Sequence, residues 1–139
     1  KLDDYDTYVN FKNNVEISRV KLVNWLREIK SNNKKICGYA ATSKSTTILN
    51  YCKIDNNLID CIYDTTPEKN GLLSPGMHIP VKNFDNFYKK FPDYSFLFAW
   101  NHLKEIFEKE KNFSNSGGRW ITHVPIVSVI WPFTHHFQN

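Results

Sequence analysis

The chain has no apolar run near the roughly 20 residues that a bilayer-spanning helix needs, so no transmembrane helix is expected. It begins Lys1-Leu2-Asp3-Asp4 with no initiator Met and no apolar stretch behind it. That start does not read as a signal peptide, and the expectation is a cytoplasmic protein whose first residue is the cut edge of a longer chain. Cys37, Cys52 and Cys61 are odd in number and lie in apolar segments without Cys-x-x-Cys spacing. Neither a disulfide framework nor a structural zinc site is expected from them; reduced, buried thiols of an intracellular protein are. Basic residues form no dense cluster: Lys34-Lys35 and Lys89-Lys90 stand beside neutral or acidic residues, and the net charge is only +4. No nucleic-acid partner is expected on that basis.

What is present is the composition of one globular domain. Of 139 residues 41% are hydrophobic and 15% aromatic, which excludes a disordered chain and suffices for an independent core. No internal repeat or low-complexity segment interrupts it.

Residues 1 to 13 are polar and read as a lead-in. From Val15 to Ile29, Val15, Leu22, Val23, Trp25, Leu26 and Ile29 share one arc of a helical wheel with Lys21, Asn24, Arg27 and Glu28 opposite. Lys35–Ala41 reads as a strand, Thr42 to Ser45 as a turn and Thr46–Cys52 as a helix. Leu58–Asp64 is a second strand, followed by a long loop from Thr65 to His78 marked by Pro67, Gly71 and Pro75-Gly76. Ile79-Pro80-Val81 reads as a short edge piece, since proline cannot donate to a central ladder. Asn83 is placed to cap a helix carrying Phe84, Phe87, Tyr88 and Phe91. Tyr94–Trp100 is nearly continuous in apolar character, as in a strand covered on both faces. Asn101 then reads as the cap of a helix with Leu103, Ile106 and Phe107 inward, and Gly117-Gly118 precedes strand at Trp120–Val124 and again at Ile126–Ile130.

Strands alternating with helices predict a single α/β domain over residues 1–139. Its expected form is a Rossmann-like open sheet, mainly parallel, with helices on both faces. Ligands of such sheets collect beyond the carboxyl ends of the strands, where strand order reverses. If the strands at Lys35–Ala41 and Tyr94–Trp100 are neighbours there, the turn at Thr42–Thr47 and the start of the helix at Asn101 bound one crevice.

The stretch Gly38-Tyr39-Ala40-Ala41-Thr42-Ser43-Lys44-Ser45-Thr46-Thr47 combines a strand end, small residues, hydroxyls, a lysine and a helix start. A helix N-terminus offers free N–H donors and about half a positive charge, which suits a phosphate. Lys44 with Ser43, Ser45 and Thr46 are the candidate phosphate partners; the plainer alternative is a capped turn with a solvated lysine. The dinucleotide fingerprint needs three glycines, and only Gly38 is here. The P-loop pattern is nearer, with Gly38 followed by Ser43-Lys44-Ser45, but Ser43 replaces the glycine that lets the loop wrap phosphates.

Further candidates are Tyr39 to stack on a base or sugar, with core packing as the equal alternative, Asp64 to bind a ribose from a strand end, with loop capping as the plainer one, and Lys69 to reach a diphosphate. His78 is a candidate proton carrier, because its ordinary pKa lies near neutrality. Asn101 is a candidate sugar or phosphate contact at the crevice. His135-His136 cannot complete a metal site with two ligands and reads as solvent-exposed.

A resemblance emerges from the order of several short motifs. Gly38-Tyr39-x-Ala41 with Lys44 is followed by Thr47-x-Leu49-Asn50-Tyr51, Asp64-x-x-Pro67-x-Lys69-x-Gly71 and Pro75-Gly76-x-His78-Ile79-Pro80. Pro92-Asp93-Tyr94, Ala99-Trp100-Asn101 with Glu105-Ile106, and Gly117-Gly118 complete the series. Over Val15 to Val124 the chain resembles the C-terminal domain of S-adenosylmethionine-dependent sugar C-methyltransferases, which methylate a carbon of a nucleotide-linked deoxysugar. It departs from their pattern at Ala40, where glycine is usual, and at Ser45 and Thr46, which replace a usual Gly-Asn. The resemblance implies a parent with upstream zinc-binding and methyl-donor domains. Its C-terminal part would help hold a nucleotide-diphosphate sugar, while S-adenosylmethionine and the acid–base residues lie outside it. On that reading this chain contains no catalytic residue or metal and is inactive alone. The competing readings are a stand-alone nucleotide-binding or interaction module and a degenerate P-loop nucleotide hydrolase.

Overall fold

The computed structural model describes residues 5–123, 128–130 and 136–138. Helix α1 (Tyr5–Ser31) precedes β1 (Ile36–Tyr39), α2 (Ser43–Cys52) and β2 (Cys61–Asp64). A loop containing a 3-10 turn at Pro67–Lys69 leads to β3 (Val81–Asn83), α3 (Phe84–Lys89) and β4 (Tyr94–Leu97). Then come a 3-10 turn at Trp100–His102, α4 (Leu103–Lys109), α5 (Lys111–Asn115), β5 (Arg119–Thr122), β6 (Ser128–Ile130) and β7 (His136–Gln138).

All seven strands join one sheet in the order β3-β2-β1-β4-β5-β6-β7. The first five in that order are mutually parallel, and β6 and β7 add antiparallel pairs. The expected α/β sheet with helices on both faces is therefore present. Strand alternation explains why both faces are apolar. Ile36, Ile62, Phe96 and Ile121 pack with Leu22, Leu26 and Leu49 of α1 and α2. Cys37, Cys61, Leu97 and Trp120 turn the other way, onto Phe84, Phe87 and Phe113 of α3 and α5. Cys37, Cys52 and Cys61 are buried free thiols.

The sheet order places the reversal between β1 and β4. Ile36 stands opposite Tyr94 and Tyr39 opposite Leu97, so the two strands end level on the same rim. From β1 the chain proceeds through α2 to β2 on one side; from β4 it proceeds through α4 and α5 to β5 on the other. The crevice anticipated from the sequence lies where these paths part.

Boundaries differ in instructive ways. The described part of the polar lead-in, from Tyr5 on, belongs to α1. Asn83 caps α3 as expected, its side chain accepting the Asp85 N–H at 2.9 Å. Asn101 does not cap a helix. The chain makes a 3-10 turn after Ala99, Asn101 sits in the middle of that turn, and α4 starts only at Leu103. Pro80 lies just outside β3, at the sheet edge, its carbonyl accepting the Ile62 N–H. The expected strand at Ile126–Ile130 is seen as Ser128–Ile130; Val124 and the rest of that run lie outside the described residues, as does His135.

Candidate functional site

Gly38 sits within β1 where no side chain fits: a Cβ there would stand 2.9 Å from the Phe98 ring and 3.1 Å from Ile62. The chain then leaves the sheet through Ala40 at φ 74°, its N–H held by the Tyr63 carbonyl at 2.7 Å. Thr42 caps α2 reciprocally with Ser45. The Thr42 hydroxyl accepts the Ser45 N–H at 3.3 Å, and the Ser45 hydroxyl accepts the Thr42 N–H at 2.9 Å. Ser45 is buried, its hydroxyl also donating to the Thr42 carbonyl, while the Thr46 hydroxyl donates to that same carbonyl. With two N–H groups used in the box, those of Ser43 and Lys44 are the remaining first-turn donors of α2.

Ser43, Lys44 and Thr47 line a cleft of about 270 Å³ with Ile48, Phe98 and His123. Its walls are the start of α2 and the chain just beyond β4 and β5, so it is the crevice of the strand-order reversal. Ser43 and Lys44 are exposed into it. His123 carries no motif and is not picked out by the sequence. The available signal was its position one residue beyond β5, next to the strand read as the crevice wall. Burial pushes its pKa down to about 4, and its Nδ1 has no partner among the described residues. His123 is therefore neutral near pH 7, and Lys44 is the cationic group of this lining.

The other candidates separate from that cleft. Thr46 and Lys69 line a second cleft of about 260 Å³, on the side of α2 toward Leu72, Leu73 and Pro75. The Lys69 ammonium donates to the Ala41 carbonyl at 2.6 Å and lies 3.7 Å from Asp64, bracing the turn. Asp64 is buried and accepts the N–H groups of Ala41 at 2.7 Å and Thr66 at 2.8 Å. Burial alone would raise its pKa, but those donors and the Lys69 charge outweigh burial and lower it. Tyr39 is buried on the opposite face among Phe84, Phe87 and Trp120, and its hydroxyl donates to the buried Glu110. Burial and then that bond push its pKa upward. His78 is exposed at φ 58°, and Asn101 is exposed with its amide 3.2 Å from the His102 ring. Neither lines the two clefts.

The P-loop alternative meets a physical obstacle. Only Ala40, Ala41 and Thr42 separate β1 from α2, so Gly38 is still in the strand and Ser43 already helical. No loop remains to wrap phosphates.

The sequence profile of the C-methyltransferase C-terminal domain matches residues 1–125. The chain belongs to this family. It is also 34% identical over 123 residues to the C-methyltransferase NovU of Streptomyces niveus, an alignment covering 88% of this chain and 29% of that protein. The chain thus spans less than a third of the curated relative it matches. Among the described residues no three His, Cys, Asp or Glu side chains gather as a metal site, and no helix is long and apolar enough to cross a membrane.

Proposed function

We propose that this domain supplies part of the sugar-nucleotide site of a C-methyltransferase that uses S-adenosylmethionine to methylate a carbon of a nucleotide-linked deoxysugar. The supporting observation is the cleft at the strand-order reversal, where a capped helix start brings Ser43, Lys44 and Thr47 to one rim. A diphosphate fits such a rim: the two first-turn amides donate to its oxygens, the helix dipole favours its charge, and the lysine adds a full unit. Phe98 and Ile48 offer the apolar wall against which a deoxysugar or base would rest.

Methylation at carbon requires a base to remove a proton beside a sugar carbonyl, and then in-line attack on the sulfonium methyl. The cleft offers no suitable base. The half-buried His123, with its pKa near 4, is too weak to hold an abstracted proton at neutral pH. The residues here do not fit the methyl donor either. The turn from β1 has no glycine-rich loop, and the Asp64 carboxylate at the end of β2 is committed to the amides of Ala41 and Thr66. Donor and base belong, on this reading, to the preceding part of a longer chain.

Titration calorimetry with a nucleoside-diphosphate sugar tests the reading. Weak saturable binding is expected, reduced by Lys44→Ala by roughly 1–2 kcal/mol, the size of a charge-assisted hydrogen bond. Affinity unchanged in that variant would remove Lys44 from the site. Saturable micromolar binding of S-adenosylmethionine to this chain would overturn the division of labour.

A further inference from the structure

Helix α1 is longer than the sheet it covers. In its second half Leu22, Leu26 and Ile29 recur at helical spacing and face the core, with Leu22 2% and Leu26 0% exposed. Counting back along that stripe gives Val15, Phe11 and Tyr8, at intervals of seven, four and three residues. The apolar stripe is therefore continuous through the helix, yet Phe11 is 58% and Tyr8 55% exposed. Tyr5, one further helical step back, is 77% exposed.

The uncovered half has a definite position. Phe11, Val15 and Leu22 line a groove of about 520 Å³ with Ile48, Tyr51 and His123. Ile48 and His123 also line the cleft at the strand-order reversal, so groove and cleft share a wall. The start of α1 consequently overhangs the carboxyl rim of the sheet, beside the candidate site. The helix is tied to α2 just past that stretch: Glu16 accepts the Tyr51 hydroxyl of α2 and pairs with Arg19 at 3.1 Å.

We propose that this overhanging stripe, centred on Tyr8 and Phe11, is the seam that docks the preceding domain of the same methyltransferase polypeptide, closing the groove over the cleft. Two observations select that occupant. The family is a C-terminal domain, and this chain matches only 29% of its relative, so most of such a protein lies before α1. The stripe is also in register with the core and extends past the groove, which suits a protein surface rather than a small molecule. Tyr and Phe side chains bury about 150–250 Å² each, so even these few rings represent a substantial apolar surface. The inference rests on family membership and on the geometry of α1, and it does not require that the ligand be a sugar nucleotide.

Hydrogen exchange without ligand, comparing the 139-residue chain with the whole methyltransferase, tests it. In the 139-residue chain, amides of Tyr8–Val15 should exchange fast relative to those of Leu22–Ile29. In the whole protein the former should slow about tenfold or more. A paired Tyr8→Ser, Phe11→Ser variant should leave the unfolding of the short chain unchanged and abolish that added protection. Equal exchange of Tyr8–Val15 in both proteins overturns the proposal. So does protection of these amides in the short chain accompanied by a dimer mass in sedimentation, which assigns the stripe to a second copy. Calorimetry of the nucleotide is read separately, so failure of either proposal leaves the other's result intact.

Discussion

Ala40 holds a backbone conformation that its side chain resists. At φ 74° it lies in the left-handed region, which costs an L-residue roughly 1–2 kcal/mol. Glycine removes that strain but adds about 0.5–1 kcal/mol of unfolded-chain entropy. Ala40→Gly should therefore stabilise the domain by up to about 1 kcal/mol, read as a higher urea midpoint with unchanged slope. A lower midpoint would mean that the turn is not strained. The departure from glycine was visible in the sequence, whereas the dihedral angle that makes glycine the easier residue there was not. Tyr39 shows the converse limit. Its place beside Gly38 suggested a ligand contact, but alternation puts Tyr39 with Cys37 on the face away from the cleft. His123 was illegible because one histidine inside the run read as strand, Trp120–Val124, has no spacing to give it away. Only the approach of α1 and α2 to it does so.

At the level of elements, β1 is fixed by what presses on it. Phe98 and Ile62 occupy the space a Cβ at residue 38 would need. Gly38→Ala should cost roughly 1–3 kcal/mol as overpacking, measured by denaturant unfolding, and should also disturb the cleft, since Phe98 lines it. No loss of stability would mean that the Phe98 ring yields freely. Strand cores and their neighbours could be read because apolar runs, Pro and Gly punctuate them. The extent of α1 could not, because Tyr8 and Phe11 are diluted among Asp, Asn and Lys in the stretch before Val15. The division of α4 from α5 was hidden as well. It falls at Glu110, a buried carboxylate held by the hydroxyls of Tyr39 and Tyr88, residues distant in sequence.

For the whole molecule, protons link the cleft to folding. His123 binds its proton near pH 4 when folded and near 6.5 when unfolded. Above 6.5 both states are neutral and its burial carries no protonation penalty. As pH falls from about 6.5 toward 4 the unfolded chain gains the proton first, so up to roughly 3 kcal/mol of stability is lost. Thermal unfolding midpoints should fall across that window and flatten in His123→Phe; an identical pH profile in the variant would exclude His123 as the cause. Asp64, whose carboxyl is held, despite burial, below its ordinary range by the Thr66 and Ala41 amides and the Lys69 charge, adds its own loss only in stronger acid. The global arrangement was the most legible level, because alternating strands and helices imply a parallel sheet with right-handed crossovers, whereas the neighbourhood of β1 and β4 entered only as a condition and is fixed by the strand pairing.

The Asp64 carboxylate makes the two flanks of the crevice mechanically unequal. By holding Ala41 and Thr66 together, with Lys69 tied back to Ala41, it clasps the bends after β1 and β2 into one rigid jaw. A bulky guest would then find its room on the opposite jaw, where Phe98 and His123 follow the ends of β4 and β5.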